Sequence, residues 1–481
     1  MIPGTYIEEA DPRRNTIVGA PTAVPAFIGY TEKAISPEGA DLTCTPVRVN
    51  SMLEYEAAFG STPPERVSID VEHHVDHTGR TKAVHVAWTT APTVPACLLP
   101  YALSLFFANG GGPCLIYALG PPSTPALHDF TSAFTALEAS TDPTLLVFPD
   151  AVQLNPADYG AVVAAALASA HGRQDRFVIA DVPESSTDVA VVAAEFRDQM
   201  AAFDASDRKF GAAYMPFVET TIPLRTAATT VTVHTFTTVV LDAKGSTSKR
   251  TPVPEIAGRL LADIPANVPS YDTHVQQAIT AFLAQARVTL PPSAAIAGVS
   301  AMVDATRGVW KAPANVSLSA VSKPTLAMTA AQQADLNVDV SQGLSINAIR
   351  EFAGQGTLVW GARTLDGNSS DWRYVSVRRF ITFVEQSIMP ALSRLAFERN
   401  DAGTWTMVEM MITNFLTTLW RSGALAGATQ REAFAVHVGL GRTMTAQDLA
   451  DGRLIVEVLL AVVRPAEFHV IRLEQMVVGT P

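Results

Sequence analysis

The sequence predicts a mixed chain, α/β through its middle and α+β in its C-terminal third. Three observations predict it. From residue 99, short apolar runs that read as buried strands alternate with amphipathic helical stretches, the rhythm of a mostly parallel sheet. Residues 221–250 break that rhythm with period-two alternation, TTVTVHTFTTVVLD, and a flexible turn, AKGSTSKR. From residue 375, two long amphipathic helical patterns are followed by short β segments, which suits two helices packed on a small antiparallel sheet.

Residues 1–20 read as an arm. Pro3-Gly4 leads a short extended stretch, Thr5-Tyr6-Ile7-Glu8-Glu9, and the turn-rich DPRRNT follows. Such a segment cannot bury itself, so it is either a frayed terminus or a strand offered to another sheet edge. Residues 21–98 hold a buried strand in AFIGY (26–30) and a short helix at 52–60 stopped by Gly60. Within them, 61–96 is rich in Pro, Thr and His with weak alternation in TKAVHVAW, a loop or hairpin insertion. Residues 99–325 are expected to form an α/β domain, with strands at 114–119, 144–151, 176–183 and 209–218 and a β-rich extension near 221–250. Residues 326–465 are expected to form a C-terminal domain. In it INAIREF and GTLVWGART read as two strands, 375–398 and 405–425 as helices, and 434–439 and 453–462 as strands. Residues 466–481 would be a terminal strand. No internal repeat is visible at the periods of solenoid proteins.

Composition narrows the function. Apolar residues are 48% of the 481 and charged residues 17%, a globular balance. Asp and Glu number 46 against 34 Lys and Arg, so the net charge is −12. That sign argues against nucleic acid, which needs a basic face, and against an anionic membrane surface. No apolar run reaches the roughly 18 residues of a membrane span. The longest, LIVEVLLAVV (454–463) and AVVAAALASA (161–170), are short, and the first is interrupted by Glu457. The start, MIPGTYIEEADPRR, carries acidic residues where a signal peptide needs basic ones, so assembly in the cytoplasm is expected. Cys44, Cys97 and Cys114 are odd in number and lack CxxC spacing, which argues against disulfides and structural zinc.

The chemistry-bearing residues form no motif. NGGGP (109–113) lies between helix and strand, the reverse of a phosphate-cradling order, and reads as a helix stop. KGSTSK (244–249) lacks the P-loop spacing and reads as a surface turn. His73, His74 and His77 with Asp70 and Asp76 lack HExxH, so a solvated loop is preferred to a metal site. Asp142, Asp150 and Asp181 sit at expected strand ends and read as turn residues or helix caps. There is no GxSxG elbow and no histidine set beside a cysteine, so neither a catalytic residue nor a cofactor site is expected. Arg378, Arg379 and Glu385 lie in the densest charge pattern, open to two readings: pairing within the chain, or charged contacts between subunits.

Several segments in order resemble the contractile tail sheath family. They are PGTYIEE, AVPAFIGYTEKA, LFFANGGGPCLIYALG and DPTLLVFPDAV in the first third, then APANVSLSAV at 312–321. The C-terminal third adds INAIREFAGQGTLVWGARTL, WRYVSVRRFITFVEQSI, NFLTTLWRSGALAGAT and GRLIVEVLLAVVRPAEFHVIRL. The flavour is that of phage-tail-like extracellular contractile injection systems, the antifeeding-prophage and virulence-cassette type. Segments 61–96 and 221–250 depart from it.

The resemblance implies a structural polymer. Copies would form hexameric rings stacked helically around an inner tube, with baseplate and cap proteins at the ends and sibling sheath proteins as further partners. It implies neither nucleic acid nor direct membrane insertion, and leaves open whether the particle is released, anchored or kept in the cytoplasm. The multidomain fold would place 99–325 outside. Linker strands at Thr5, Tyr6, Ile7 and Glu8 and at Phe468, Val470, Ile471 and Leu473 would be exchanged with neighbours. Arg378, Arg379 and Glu385 would make sheath–tube or sheath–sheath contacts. A baseplate or host-recognition component of the same particle, or a soluble α/β enzyme, are the alternatives.

Overall fold

The computed structural model describes residues 16–90, 94–200, 204–265 and 267–466. They divide into two compact units. The larger comprises 21–305 and 313–373; the smaller comprises 306–312 together with the described parts of 1–20 and 374–481.

The larger unit is built on a nine-stranded sheet. Six strands run parallel in the order Ile346–Phe352, Gly211–Met215, Phe177–Asp181, Leu145–Val147, Pro25–Gly29, Cys114–Ala118. Antiparallel strands close both flanks: Pro46–Val49 on one, Gly356–Val359 and Val316–Ser317 on the other. Strands covered on both faces must be apolar at every position, and PAFIG, CLIYA, FVIAD and GAAYM are buried throughout. The core of one face gathers Ile28, Leu146, Val178 and Met215 against Phe130, Val163 and Phe196 of the covering helices.

The expected limits of the C-terminal domain differ from this division. INAIREF pairs in parallel with Gly211–Met215, and GTLV pairs back on it, so 326–373 belong to the large-sheet unit. The segments 61–96 and 221–250 also prove to be one structure. Val67–Val75 and Thr81–Trp88 form a hairpin, Val231–Leu241 and Thr247–Pro252 a second, and the two join through parallel pairing of 67–75 with 231–241. Arg259–Leu260 adds a fifth strand beside Val231–Leu241, and the helix Thr273–Leu283 packs on this sheet through Phe282, whose ring lies 4.7 Å from that of Trp88.

The smaller unit packs two helices, Val375–Ser393 and Ala402–Arg421, on the antiparallel pair Phe434–Val438 and Val456–Leu460. Asp401 starts the second helix by accepting from the backbone N–H of Gly403 and Thr404 at 3.0 and 3.1 Å. Phe380, Val384, Ile412 and Leu416 form the seam, closed by Phe434 and Val436 from the sheet. Among the described residues no helix is long and apolar enough to cross a membrane.

Two fully buried carboxylates lock the large sheet to its helices. Asp150 accepts from the N–H of Leu98 at 2.7 Å and of Tyr30 at 3.0 Å, capping a helix, Leu99–Ala108, that has no side-chain cap of its own. Asp181 accepts from the N–H and hydroxyl of Ser293 at 2.7 and 2.6 Å, at the start of the helix Ser293–Arg307. Both cap readings therefore hold, though each cap crosses from a distant segment. Burial outweighs these donors and raises Asp150 to about 6 and Asp181 to about 7, from an ordinary 3.8.

A folded value above the unfolded one means the native state holds the extra protons. Their contribution is greatest below the unfolded value and declines as pH rises through about 6 to 7. Asp181→Asn should flatten part of that slope and cost under about 1 kcal/mol, because the Ser293 hydroxyl can turn to accept from the amide. Asp150→Asn should cost about 1–3 kcal/mol, because its amide would face a backbone N–H that cannot reverse. Chemical unfolding across a pH series checks both the slopes and the order of the two variants.

Candidate assembly site

The functional candidates cluster in the smaller unit, where both described chain ends are seated. On the N-terminal side Ile17 is 7% exposed and lies in the same core as Phe380, Val384 and Ile412. Its neighbour Val18 points out, 71% exposed. Gly19 passes the ring of Phe383 so closely that a Cβ would sit 3.2 Å from Cε2 and Cζ. Ala20 then donates its N–H to Ser387 Oγ at 2.9 Å, and that hydroxyl donates to the Phe383 carbonyl at 2.6 Å. The expected arm of 1–20 is thus already part of the body over its last residues, 16–20. No periodicity announces a seat five residues long; a glycine beside a small polar residue on a distant helix carries no sequence signal.

On the C-terminal side Val456, Val458, Leu460 and Val462 pack against that same core. Ala461 donates to the Ala433 carbonyl at 2.9 Å and accepts from Ala426 N–H at 2.7 Å, and Val462 bridges to Leu425. Among the described residues Val456–Leu460 pairs with Phe434–Val438 alone, so this sheet has two strands. The expected linker residues Thr5, Tyr6, Ile7 and Glu8, and Phe468, Val470, Ile471 and Leu473, lie outside the described residues.

The three charged candidates share the helix Val375–Ser393 but not an environment. Arg378 is 2% exposed, and its Nη2 donates to Glu385 Oε2 at 2.7 Å and to Thr382 Oγ1 at 3.0 Å. Burial works against its charge and lowers the guanidinium from its usual range, while Glu385 holds it up. Arg379 is likewise buried, whereas the Glu385 side chain is 44% exposed. Positions 378, 382 and 385 fall on one helical face, so Arg378 stiffens the carboxylate that meets solvent. Phe383, Phe415 and Trp420 pack against the core.

Elsewhere the chemistry disperses. Alternation along Val67–Val75 sends His73 to the buried face and His74 to the other, so the HHxxH cluster does not converge. Among the described residues no three His, Cys, Asp or Glu side chains could hold a metal ion. Cys97 and Cys114 are buried, and desolvation pushes both thiols upward, away from a nucleophilic thiolate.

A family model for the phage tail sheath C-terminal domain matches residues 368–475. The tail sheath protein of Vibrio phage KVP40 is 26% identical over 139 residues, 28% of this chain and 20% of that protein, so the match spans about a fifth of that curated relative. Solved structures extend the similarity to the whole chain. The sheath complex of an extracellular contractile injection system, PVC, in the contracted state is 28% identical with a TM-score of 0.63, covering 99% of this chain and 98% of that one. The helical sheath of the anti-feeding prophage in the contracted state is 30% identical with a TM-score of 0.64, covering 99% of both chains.

The seat and the ion pair make separable predictions for the folded subunit. Ser387→Ala removes the acceptor for Ala20 and should cost about 1 kcal/mol. Glu385→Ala leaves Arg378 without its carboxylate and should cost about 1–2 kcal/mol, whereas Arg378→Met fills the same space without charge and should cost less. Denaturant unfolding of the three variants ranks them; an Arg378→Met loss larger than that of Glu385→Ala would refute the pairing argument.

Proposed function

Because this chain belongs to the contractile tail sheath family, we propose that it works as the repeating subunit of a sheath that polymerises on an inner tube and drives it through a target membrane. It is a structural protein of a contractile injection system, not an enzyme. The observation that carries the reading is the end-to-end similarity to a helical sheath in its contracted state.

In this reading the subunits form stacked hexameric rings, start from a baseplate and end at a cap. Assembly takes place in the cytoplasm, and release or anchoring of the particle is a separate step. Contraction runs from a metastable extended state to one that buries more surface between subunits. A gain of about 1–2 kcal/mol per copy is a modest change of interface, and summed over many copies it supplies the work without a nucleotide. Packed interfaces have discrete arrangements, so a change at the baseplate can travel as a wave.

Neighbouring copies are linked by the two terminal segments. Thr5, Tyr6, Ile7 and Glu8 at one end, and Phe468, Val470, Ile471 and Leu473 at the other, extend a neighbour's small antiparallel sheet. The seats of Ile17 and Val462 in one core, to which Phe434 and Val436 of the two-stranded sheet also belong, support this. About four backbone hydrogen bonds per linker, each worth roughly 0.5–1.5 kcal/mol, would keep copies tethered while their bodies slide. Glu385 is the charged contact to the tube or an adjacent subunit. Arg378 and Arg379, buried in the single subunit, join it only where assembly opens that helix surface.

Negative-stain microscopy of the purified chain should show hollow striated cylinders; well-behaved monomers at high concentration would contradict the reading. Deleting residues 1–15, which spares the Ile17 seat, should leave a folded protein that makes no long contractile tubes. Normal tubes from that deletion would refute the linker role.

A further inference from the structure

We propose that the five-stranded sheet and the helix Thr273–Leu283 form an acid-labile module, held shut by a chain of contacts from His73 through Thr81 to Asp272. Six of the ten histidines, His73, His74, His77, His85, His234 and His274, lie in the segments that build it. The proposal does not depend on the assembly reading.

His73 is 3% exposed and occupies the inward row otherwise made of Val67, Ile69, Val71 and Val75. Its Nε2 is 2.9 Å from Thr81 Oγ1, which donates to Asp272 Oδ2 at 3.1 Å. A hydroxyl has one proton, and a carboxylate only accepts, so the Thr81 proton goes to Asp272 and His73 Nε2 must be the donor. That fixes the neutral tautomer with Nδ1 bare, and Nδ1 has no hydrogen-bond partner among the described residues. The other oxygen of Asp272 accepts from Val275 N–H at 3.0 Å and caps the helix. Thr81 therefore ties the sheet to the helix that covers it, and the imidazole, by donating to the hydroxyl, turns the Thr81 proton toward Asp272.

A proton arriving at Nδ1 meets no carboxylate. Phe236 stands edge-on at 6.3 Å between ring centroids, and Thr238, the register partner of His73, offers a neutral and itself unpartnered hydroxyl. Asp272 is reached only through Thr81. Burial lowers His73 from its ordinary 6.5; Asp272 opposes this, and His74 and His274 add to it. Burial also works against the charge of Asp272, but Val275 N–H and Thr81 outweigh it and hold that carboxyl below its usual range.

The outward face carries contacts of both signs. His234 with Asp70 at 3.1 Å and His74 with Glu72 at 3.3 Å gain attraction when protonated, while His74 and His85, 4.8 Å apart, would repel. These groups reach solvent, so their effects are small and partly cancel, and the buried ring sets the sign. A depressed folded value leaves the latch intact above about 6.5 and weakens it as pH falls further.

Hydrogen exchange on the full-length chain, corrected for intrinsic rates, tests this at about pH 7.5 and about pH 5. Amides of 67–75, 81–88, 231–241 and 273–283 should lose about tenfold in protection at the lower pH, and those of 145–147, 177–181 and 211–215 should not. His73→Phe keeps the ring shape without the ionisation and should abolish the loss. An equal loss in His73→Phe, or no loss in the wild type, overturns the proposal. Should that variant fail to fold, the NMR titration of His73 in the wild type decides: a midpoint below the ordinary 6.5 supports the latch, and one at or above that value overturns it.

Discussion

Both described ends of this chain are rooted in one small core. Ile17 on one side and Val462 on the other pack against the same cluster that joins the helices Val375–Ser393 and Ala402–Arg421 to their two-stranded sheet. Burying an isoleucine stabilises its site by about 1.5–3 kcal/mol, enough to fix where residues 16–20 join the body. Gly19 and Ser387 sharpen that exit, one by allowing the backbone against Phe383 and the other by holding Ala20. Were an arm exchanged between copies, each copy would have to present it from the same place, which a fixed seat at 16–20 would provide.

Much of the architecture was legible because burial on both faces leaves a plain signature. CLIYA and FVIAD are continuous apolar runs since helices cover both sides of the sheet, and the two C-terminal helices show period 3.6 since each buries one stripe. What was not legible is pairing over distance. Nothing local says that Val67–Val75 runs parallel to Val231–Leu241, or that INAIREF completes a sheet begun three hundred residues earlier. Of the assembly site, charge pattern drew attention to Arg378 but could not show that its guanidinium turns inward onto Glu385 and Thr382. The exit seat at Ile17 to Ala20 left no trace at all, since its partners are 367 positions away in the case of Ala20.

The same physics acts with opposite sign on two sheets of the larger unit. Low dielectric disfavours whichever form is charged, so it raises Asp150 and Asp181 and lowers His73. Acid therefore relieves the nine-stranded sheet and loads the five-stranded one. Full opposite charges beside them would lower the aspartates and raise the histidine, exchanging the two responses; what the groups face instead, backbone donors for the aspartates and a neutral hydroxyl for the histidine, leaves burial to set each sign.

The carboxyl ends of parallel strands are where open α/β sheets ordinarily bind ligands, because helix N-termini and loop side chains converge there. Here Asp150 and Asp181 fill that position themselves and spend their lone pairs on Leu98, Tyr30 and Ser293. Groups that elsewhere would meet a substrate instead bind one part of the fold to another. A subunit that transmits force needs that cohesion more than it needs a cleft. If its linkers carry the load, a pull on both ends is borne within a single core, between Ile17 and Val462, so the stress is taken up by side-chain packing and the short strand pair of the smaller unit.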